Sequence, residues 1–86
     1  MLNEQNAYAC PCCRFLTLGE KPPGTFEICP VCYWEDDNVQ AADPTFEGGA
    51  NSMSLEQARR NFAEYGAISR EALGRVRKPL PDEIPA

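Results

Sequence analysis

Five cysteines, Cys10, Cys12, Cys13, Cys29 and Cys32, are the residues of this 86-residue chain best suited to chemistry. Four of them form two C-x2-C pairs, Cys10 with Cys13 and Cys29 with Cys32, separated by fifteen residues. That spacing falls within the range used by four-cysteine zinc sites. The reason is geometric. Two residues between ligands let a tight turn set both sulfurs about 2.3 Å from one ion, and a hairpin joining two such turns completes a tetrahedron. Four protein ligands leave no open coordination position, which marks a structural rather than a catalytic ion. The chain has no histidine, so an all-cysteine set is the simplest choice. The expected metal ligands are therefore Cys10, Cys13, Cys29 and Cys32, holding one zinc ion. Iron also accepts four thiolates and is the second choice.

Both pairs carry proline in second place, Pro11 and Pro30. Proline fixes φ and lowers the entropy lost when a turn closes. Backbone N–H groups of such turns can point at the sulfurs and stabilise their charge. Arg14 and Tyr33 follow the pairs, at positions where glycine would reach positive φ more easily. Cys12 is expected to sit within the first turn with its thiol away from the metal. The alternatives are a ligand exchanged for Cys10 or Cys13, and a reactive thiol beside the centre.

Other candidate groups are weaker. Glu35, Asp36 and Asp37 could serve acid–base or metal chemistry, but a run of three acids reads first as a solvated surface. Asp36, Asn38 and Glu47 fit positions 1, 3 and 12 of a calcium loop, while Gln40 and Ala41 at positions 5 and 6 argue against one. Tyr33 and Trp34 are expected to cover the metal site and meet Phe62 and Tyr65. The sequence offers no nucleophile–base pair, phosphate-cradling loop or open metal site, so no enzymatic activity is expected.

The elements that must position the cysteines are short. Residues 14–18 (RFLTL) read as one strand and 25–28 (TFEI) as a second, with GEKPPG as the loop between them. Residues 35–51 read as loop with one helical turn. Ser54 and Gln57 form a capping-box pattern opening a helix to Tyr65, with Leu55, Ala58, Phe62 and Tyr65 on its apolar face. Glu56–Arg60 and Arg60–Glu64 are i,i+4 pairs on the other face. Gly66 suits the left-handed position after the last turn. Ser69 caps a shorter helix to about Leu73, stapled by Ile68 and Leu73. The proline-rich end from Lys78 reads as extended. The expected fold is a small α+β metal-bound domain, zinc-ribbon or rubredoxin-like, with a packed C-terminal helix. One domain spans 1–86: ribbon and acidic loop over about 7–48, helical segment over about 49–75, extended tail over 76–86.

A chain this small buries only roughly 60% of its unfolded surface, which makes an added restraint such as a metal valuable. Thirteen acidic against eight basic residues leave a net charge of −5. Four thiolates around a dication would make it about −7. Nucleic acid is normally met by a basic face, so none is expected as a partner. The arginines at 59, 60, 70, 75 and 77 are interspersed with acids. The segment MLNEQNAYAC lacks the basic start and apolar stretch of a secretory signal, and no apolar run approaches the roughly 20 residues of a membrane span. The expected location is the cytoplasm, where spaced cysteines point to metal rather than disulfides.

Four segments, CPCC (Cys10 to Cys13), EICPVCYWEDD (Glu27 to Asp37), GGAN (Gly48 to Asn51) and SLEQARRNFAEYGA (Ser54 to Ala67), together resemble the bacterial cysteine-rich CPCC family. The family's usual CPCCG has Arg14 here in place of glycine. The resemblance spans Cys10 to about Pro81. It implies a small bacterial protein with zinc-binding cysteines, and it implies no particular activity. The leading expectation is a structural-zinc protein that acts by binding another protein. A nucleic-acid-binding ribbon, a thiol redox protein and a toxin-neutralising partner are the alternatives.

Overall fold

The cysteine turns are carried by two unequal hairpins. The structure is a computed structural model and describes residues 8–85. Strand β1 (Tyr8–Ala9) pairs antiparallel with β2 (Leu16–Leu18), Tyr8 opposite Leu18 and Ala9 opposite Leu16, with an irregularity between them. The first cysteine turn joins these strands. The strand expected over 14–18 is shorter because Arg14 sits at φ 72°, which no strand accepts. The second expected strand, 25–28, does not form. Phe26 adopts φ 58°, breaking the extended run, and a lone antiparallel bridge joins Ile28 to Glu35. The hairpin is still closed by Phe26 N–H to Asp36 O at 2.9 Å and Cys29 N–H to Trp34 O at 2.9 Å. The break in alternation turns Phe26 and Ile28 outward, and Val31 and Trp34 supply this hairpin's buried side chains.

Helix α1 (Asn38–Ala42) is a single turn, and α2 (Leu55–Tyr65) is the main helix. Ser54 caps α2 by accepting from Gln57 N–H at 3.1 Å. The reciprocal half of the capping box is missing, because the Gln57 side chain runs along the helix to Asn61 and Arg60. Gly66 closes α2 at φ 92°, the left-handed position that favours glycine. Leu55 and Ala58 are buried, and half-buried Phe62 meets Phe15 edge-to-face at 6.2 Å. Glu56 pairs with Arg60 at 3.7 Å, an exposed contact of small value. Arg60 turns to Gln57 rather than Glu64.

The segment after α2 is a 3-10 turn over Glu71–Arg75, not an α-helix. Its N-cap position is Arg70, one residue later than expected and without a side-chain cap bond, although the Ser69 hydroxyl still accepts from Ala72 N–H at 3.2 Å. The expected staple fails: Ile68 is buried, but the tighter pitch places Ala72 inward and leaves Leu73 exposed. The tail is not fully extended either. A second 3-10 turn, Pro81–Glu83, buries Glu83 completely. Arg77 grips it with two bonds of 2.9 Å, and Arg77 N–H reaches Pro30 O at 3.0 Å. The tail is thereby tied to the second cysteine turn.

One buried cluster runs through both segments: the five cysteines with Leu18, Val31, Trp34, Leu55, Ala58, Ala67, Ile68 and Ala72. The acidic, glycine-bearing stretch between them is held by Gln40, which is fully buried on α1. Its amide donates to Phe46 O at 3.0 Å and Met53 O at 2.8 Å and accepts from Asn51 N–H at 3.1 Å. Asn51 in turn accepts from Glu35 N–H at 2.9 Å and donates to Glu35 O at 2.8 Å, imitating a strand partner. No described helix is long and apolar enough to cross a membrane.

Candidate metal centre

The two C-x2-C turns have the same backbone plan. Cys10 N–H donates to Phe15 O at 2.9 Å and Arg14 N–H to Cys10 O at 2.8 Å; Cys29 N–H donates to Trp34 O at 2.9 Å and Tyr33 N–H to Cys29 O at 2.8 Å. The residue after each pair is left-handed, Arg14 at φ 72° and Tyr33 at φ 77°. Each conformation costs about 1–2 kcal/mol in a non-glycine residue. The turn chemistry flagged at these two positions is therefore met by strain rather than by glycine, and the paired backbone bonds hold it.

Facing each other, the turns bring the Sγ atoms of Cys10, Cys13, Cys29 and Cys32 within 4.8 Å of one another. Cys10 and Cys32 sulfurs lie 3.6 Å apart, and those of Cys13 and Cys29 3.7 Å apart. Ligands about 2.3 Å from a tetrahedral ion are separated by about 3.8 Å, whereas a disulfide would require about 2.0 Å. All five cysteines are free. Four cysteines so placed can hold a metal ion, and among the described residues this is the group with that property.

The surroundings suit buried thiolates. Cys10, Cys29 and Cys32 are 0% exposed and Cys13 is 9% exposed. Cys12 N–H points at Cys10 Sγ, Val31 N–H at Cys29 Sγ and Trp34 N–H at Cys32 Sγ, each at 3.4 Å. The Thr17 hydroxyl lies 3.0 Å from Cys29 Sγ. Four buried negative sulfurs cannot coexist unaided. Contacts with Cys10 first, then Cys13 and Cys32, lower the Cys29 thiol far below its ordinary range. Cys10 first, then Cys29, raises Cys13, and Cys10 first, then Cys12, raises Cys32. Without a cation the cluster shares protons; a dication removes the need for them.

Cys12 stands outside the four-sulfur group. It is 5% exposed and packs in the core. The acidic trio differs from expectation. Asp36 and Asp37 are buried rather than solvated, because each has a backbone to serve. Asp36 Oδ2 accepts from Thr25 N–H at 3.0 Å and Thr25 Oγ1–H at 2.8 Å. Asp37 caps α1 through Val39 N–H at 2.7 Å and Gln40 N–H at 3.2 Å, and holds Ala50 N–H at 2.7 Å. These bonds, Ala50 first, lower its carboxyl below the usual range. With Asp36 so engaged and Asn38 and Glu47 on the surface, the calcium-loop pattern is not assembled.

Trp34 is buried in the core that Phe62 packs against, as the aromatic pattern predicts. Tyr33 packs against the same core and carries Arg75 at 5.9 Å over its ring, whereas Tyr65 does not join it and carries Arg70 at 4.9 Å. Sequence reasoning missed Thr17, whose one signal was a hydroxyl within an otherwise apolar strand. It also missed Gln40, Asn51 and Glu83, which no local pattern distinguishes from surface residues.

These features define a class: a small α+β chain whose hairpins and single main helix enclose a four-cysteine cluster able to hold a metal ion. The sequence profile of the family described as cysteine-rich CPCC matches residues 8–83, and the chain belongs to that family. No curated protein matches the sequence.

Proposed function

We propose that this chain is a structural-zinc protein, zinc-ribbon or rubredoxin-like in its paired cysteine turns, whose role is to bind another protein. Cys10, Cys13, Cys29 and Cys32 hold the ion. The observation that carries this reading is the closed, buried set of four sulfurs within 4.8 Å of one another, two pairs of them at the 3.6 and 3.7 Å close to tetrahedral separation. A closed set leaves no position for substrate, so the ion organises the chain rather than reacting. Zinc is the ion assigned because the reading needs no electron transfer; iron is the alternative that the same donors accept. Elemental analysis of purified protein tests it. One zinc per chain supports the reading, one iron corrects the ion, and no metal at all removes it.

The surface supports a protein partner over nucleic acid. Phe26 and Ile28 of the second hairpin are 53% and 49% exposed. A shallow cavity beside Ile28 is walled by Tyr33, Met53, Ala72 and Arg75. The arginines of the helical segment are engaged within the chain: Arg59 on Pro11 O, Arg60 on Glu56, Arg70 and Arg75 on tyrosine rings, and Arg77 on Glu83. They form no free basic patch, and the net charge is −5. Affinity capture from extract with zinc-loaded protein, run against a Phe26→Ser/Ile28→Ser double variant, tests the partner. A protein retained by the first and lost by the second is expected. Salt-sensitive retention of RNA or DNA instead would overturn this part of the reading.

A further inference from the structure

The four sulfurs are not equivalent. The two turns are related by their backbone plan, which makes Cys10 correspond to Cys29 and Cys13 to Cys32. Three of the four sulfurs follow this correspondence in their donors: Cys10 faces Cys12 N–H, Cys29 faces Val31 N–H and Cys32 faces Trp34 N–H. Cys29 takes the Thr17 hydroxyl as well. The Phe15 N–H, which corresponds to that of Trp34, makes no such bond. Among the described residues no N–H or O–H donor reaches Cys13 Sγ, whose polar contact is Cys29 Sγ. Cys13 is also the least buried of the four ligand residues, at 9% exposure against 0% for the other three.

Both differences act in the same direction. A hydrogen bond to a thiolate spreads its charge and lowers its nucleophilicity. A sulfur with no such bond keeps its electron density and forms a new bond more readily. Exposure lets the reagent approach.

Resting on the metal reading above, we infer that Cys13 is the modification site of the centre, the ligand through which a soft electrophile attacks and the ion is released. With iodoacetamide the step balances without an oxidant. The Cys13 sulfur pair forms a bond to the methylene carbon, iodide leaves, and the resulting neutral thioether gives up the metal. The ion departs with three thiolates left, which take protons from water. Cys12, whose backbone N–H donates to Cys10 Sγ, has its own thiol outside the ligand set, so its labelling is separable.

The test is limited alkylation of zinc-loaded protein with substoichiometric iodoacetamide. Peptide mapping by mass spectrometry gives the labelled cysteine, and a chromogenic chelator follows zinc in the same sample. Running it in wild type and Cys12→Ala separates the non-ligand thiol. The expected result is that Cys13 is labelled about tenfold ahead of Cys10 and Cys32, the factor one retained hydrogen bond represents, and further ahead of Cys29, which holds two donors, with zinc release in step with Cys13 labelling. Thr17→Val should raise labelling of Cys29 severalfold and leave that of Cys13 unchanged. First labelling at Cys10, Cys29 or Cys32, or equal labelling of all four with one zinc bound, would overturn the inference while the metal reading stands. Protein that contains no metal by elemental analysis before labelling would end both.

Discussion

Replacing Gly49 by alanine tests how tightly the loop before α2 is held against the ribbon. A Cβ at this position would lie 2.6 Å from Asp37 Oδ2, 2.6 Å from Gln40 Cγ and 2.7 Å from Gln40 Cδ. Ordinary contact begins near 3.4 Å, so the neighbours must retreat by about 0.8 Å. Neither can do so freely. Gln40 is fully buried, with its amide committed to Phe46 O, Met53 O and Asn51 N–H. Asp37 Oδ2 holds Ala50 N–H at 2.7 Å. Overpacking of this kind costs about 1–3 kcal/mol, and one displaced buried hydrogen bond adds about 1 kcal/mol, giving roughly 2–4 kcal/mol. For a chain of this size that corresponds to a fall in Tm of at least about 10 °C. The adjacent Gly48→Ala is the control. Its Cβ would meet the Phe46 ring at 2.7 Å, but Phe46 is 41% exposed and can swing into solvent. A cost below about 1 kcal/mol is expected there. Thermal melts by circular dichroism, at one fixed excess of zinc so that mass action is constant, separate the two. Equal melting temperatures for Gly48→Ala and Gly49→Ala would refute the close packing on which the argument rests.

Other outcomes are equally specific. Serine at Cys10, Cys13, Cys29 or Cys32 should each lower metal content measured by elemental analysis, while Cys12→Ser should keep one ion per chain; loss of the ion in Cys12→Ser would place it among the ligands. Stripping the metal should shift Trp34 fluorescence to the red and abolish its near-ultraviolet dichroism, because structural zinc supplies on the order of 10 kcal/mol to small domains; an unchanged Trp34 signal would mean the ion does not order this core. Glu83→Gln should destabilise the loaded protein by about 1–3 kcal/mol, judged by urea unfolding, since it removes the buried charge of a pair whose other member, Arg77, is partly exposed. Arg77 is the main cause that holds the Glu83 carboxyl below its ordinary value, with the Leu80 N–H helping. A depressed carboxylate stabilises above its unfolded pKa of about 4.3 and loses that contribution as pH falls through the lower folded value. The difference between wild type and Glu83→Gln should therefore be flat from about pH 5 to 8. A difference that changed within that window would assign the effect to another group.

Much of the candidate centre was legible because its code is local. The spacing of Cys10, Cys13, Cys29 and Cys32 needs only two tight turns to be read, and the structure brings these four sulfurs together. The main helix was equally plain: Ser54 at its start, Gly66 past its end and a 3.6-residue apolar period lie within one short window. The strand over 25–28 was not, because alternation of Phe26 and Ile28 suggests an extended run and cannot reveal that Phe26 turns left-handed. The expected extended tail failed for a related reason. Its prolines favour extension locally, but the Arg77–Glu83 pair closes a turn that no propensity anticipates.

By itself, then, the order of residues determined which atoms could chelate an ion, where the main helix begins and ends, and which family the chain belongs to. The tertiary structure alone decided which acids are surface and which are framework. Asp36, Asp37, Gln40, Asn51 and Glu83 look solvated in one dimension, yet all are buried. It also decided that Cys13 differs from its three companions. For the five buried polar residues the physical reason is that burial costs least where a partner meets the polar group, and for Cys13 it is that no such donor reaches the sulfur. Those partners are backbone groups together with the Thr25 hydroxyl and the Arg77 guanidinium, and no local sequence pattern announces them.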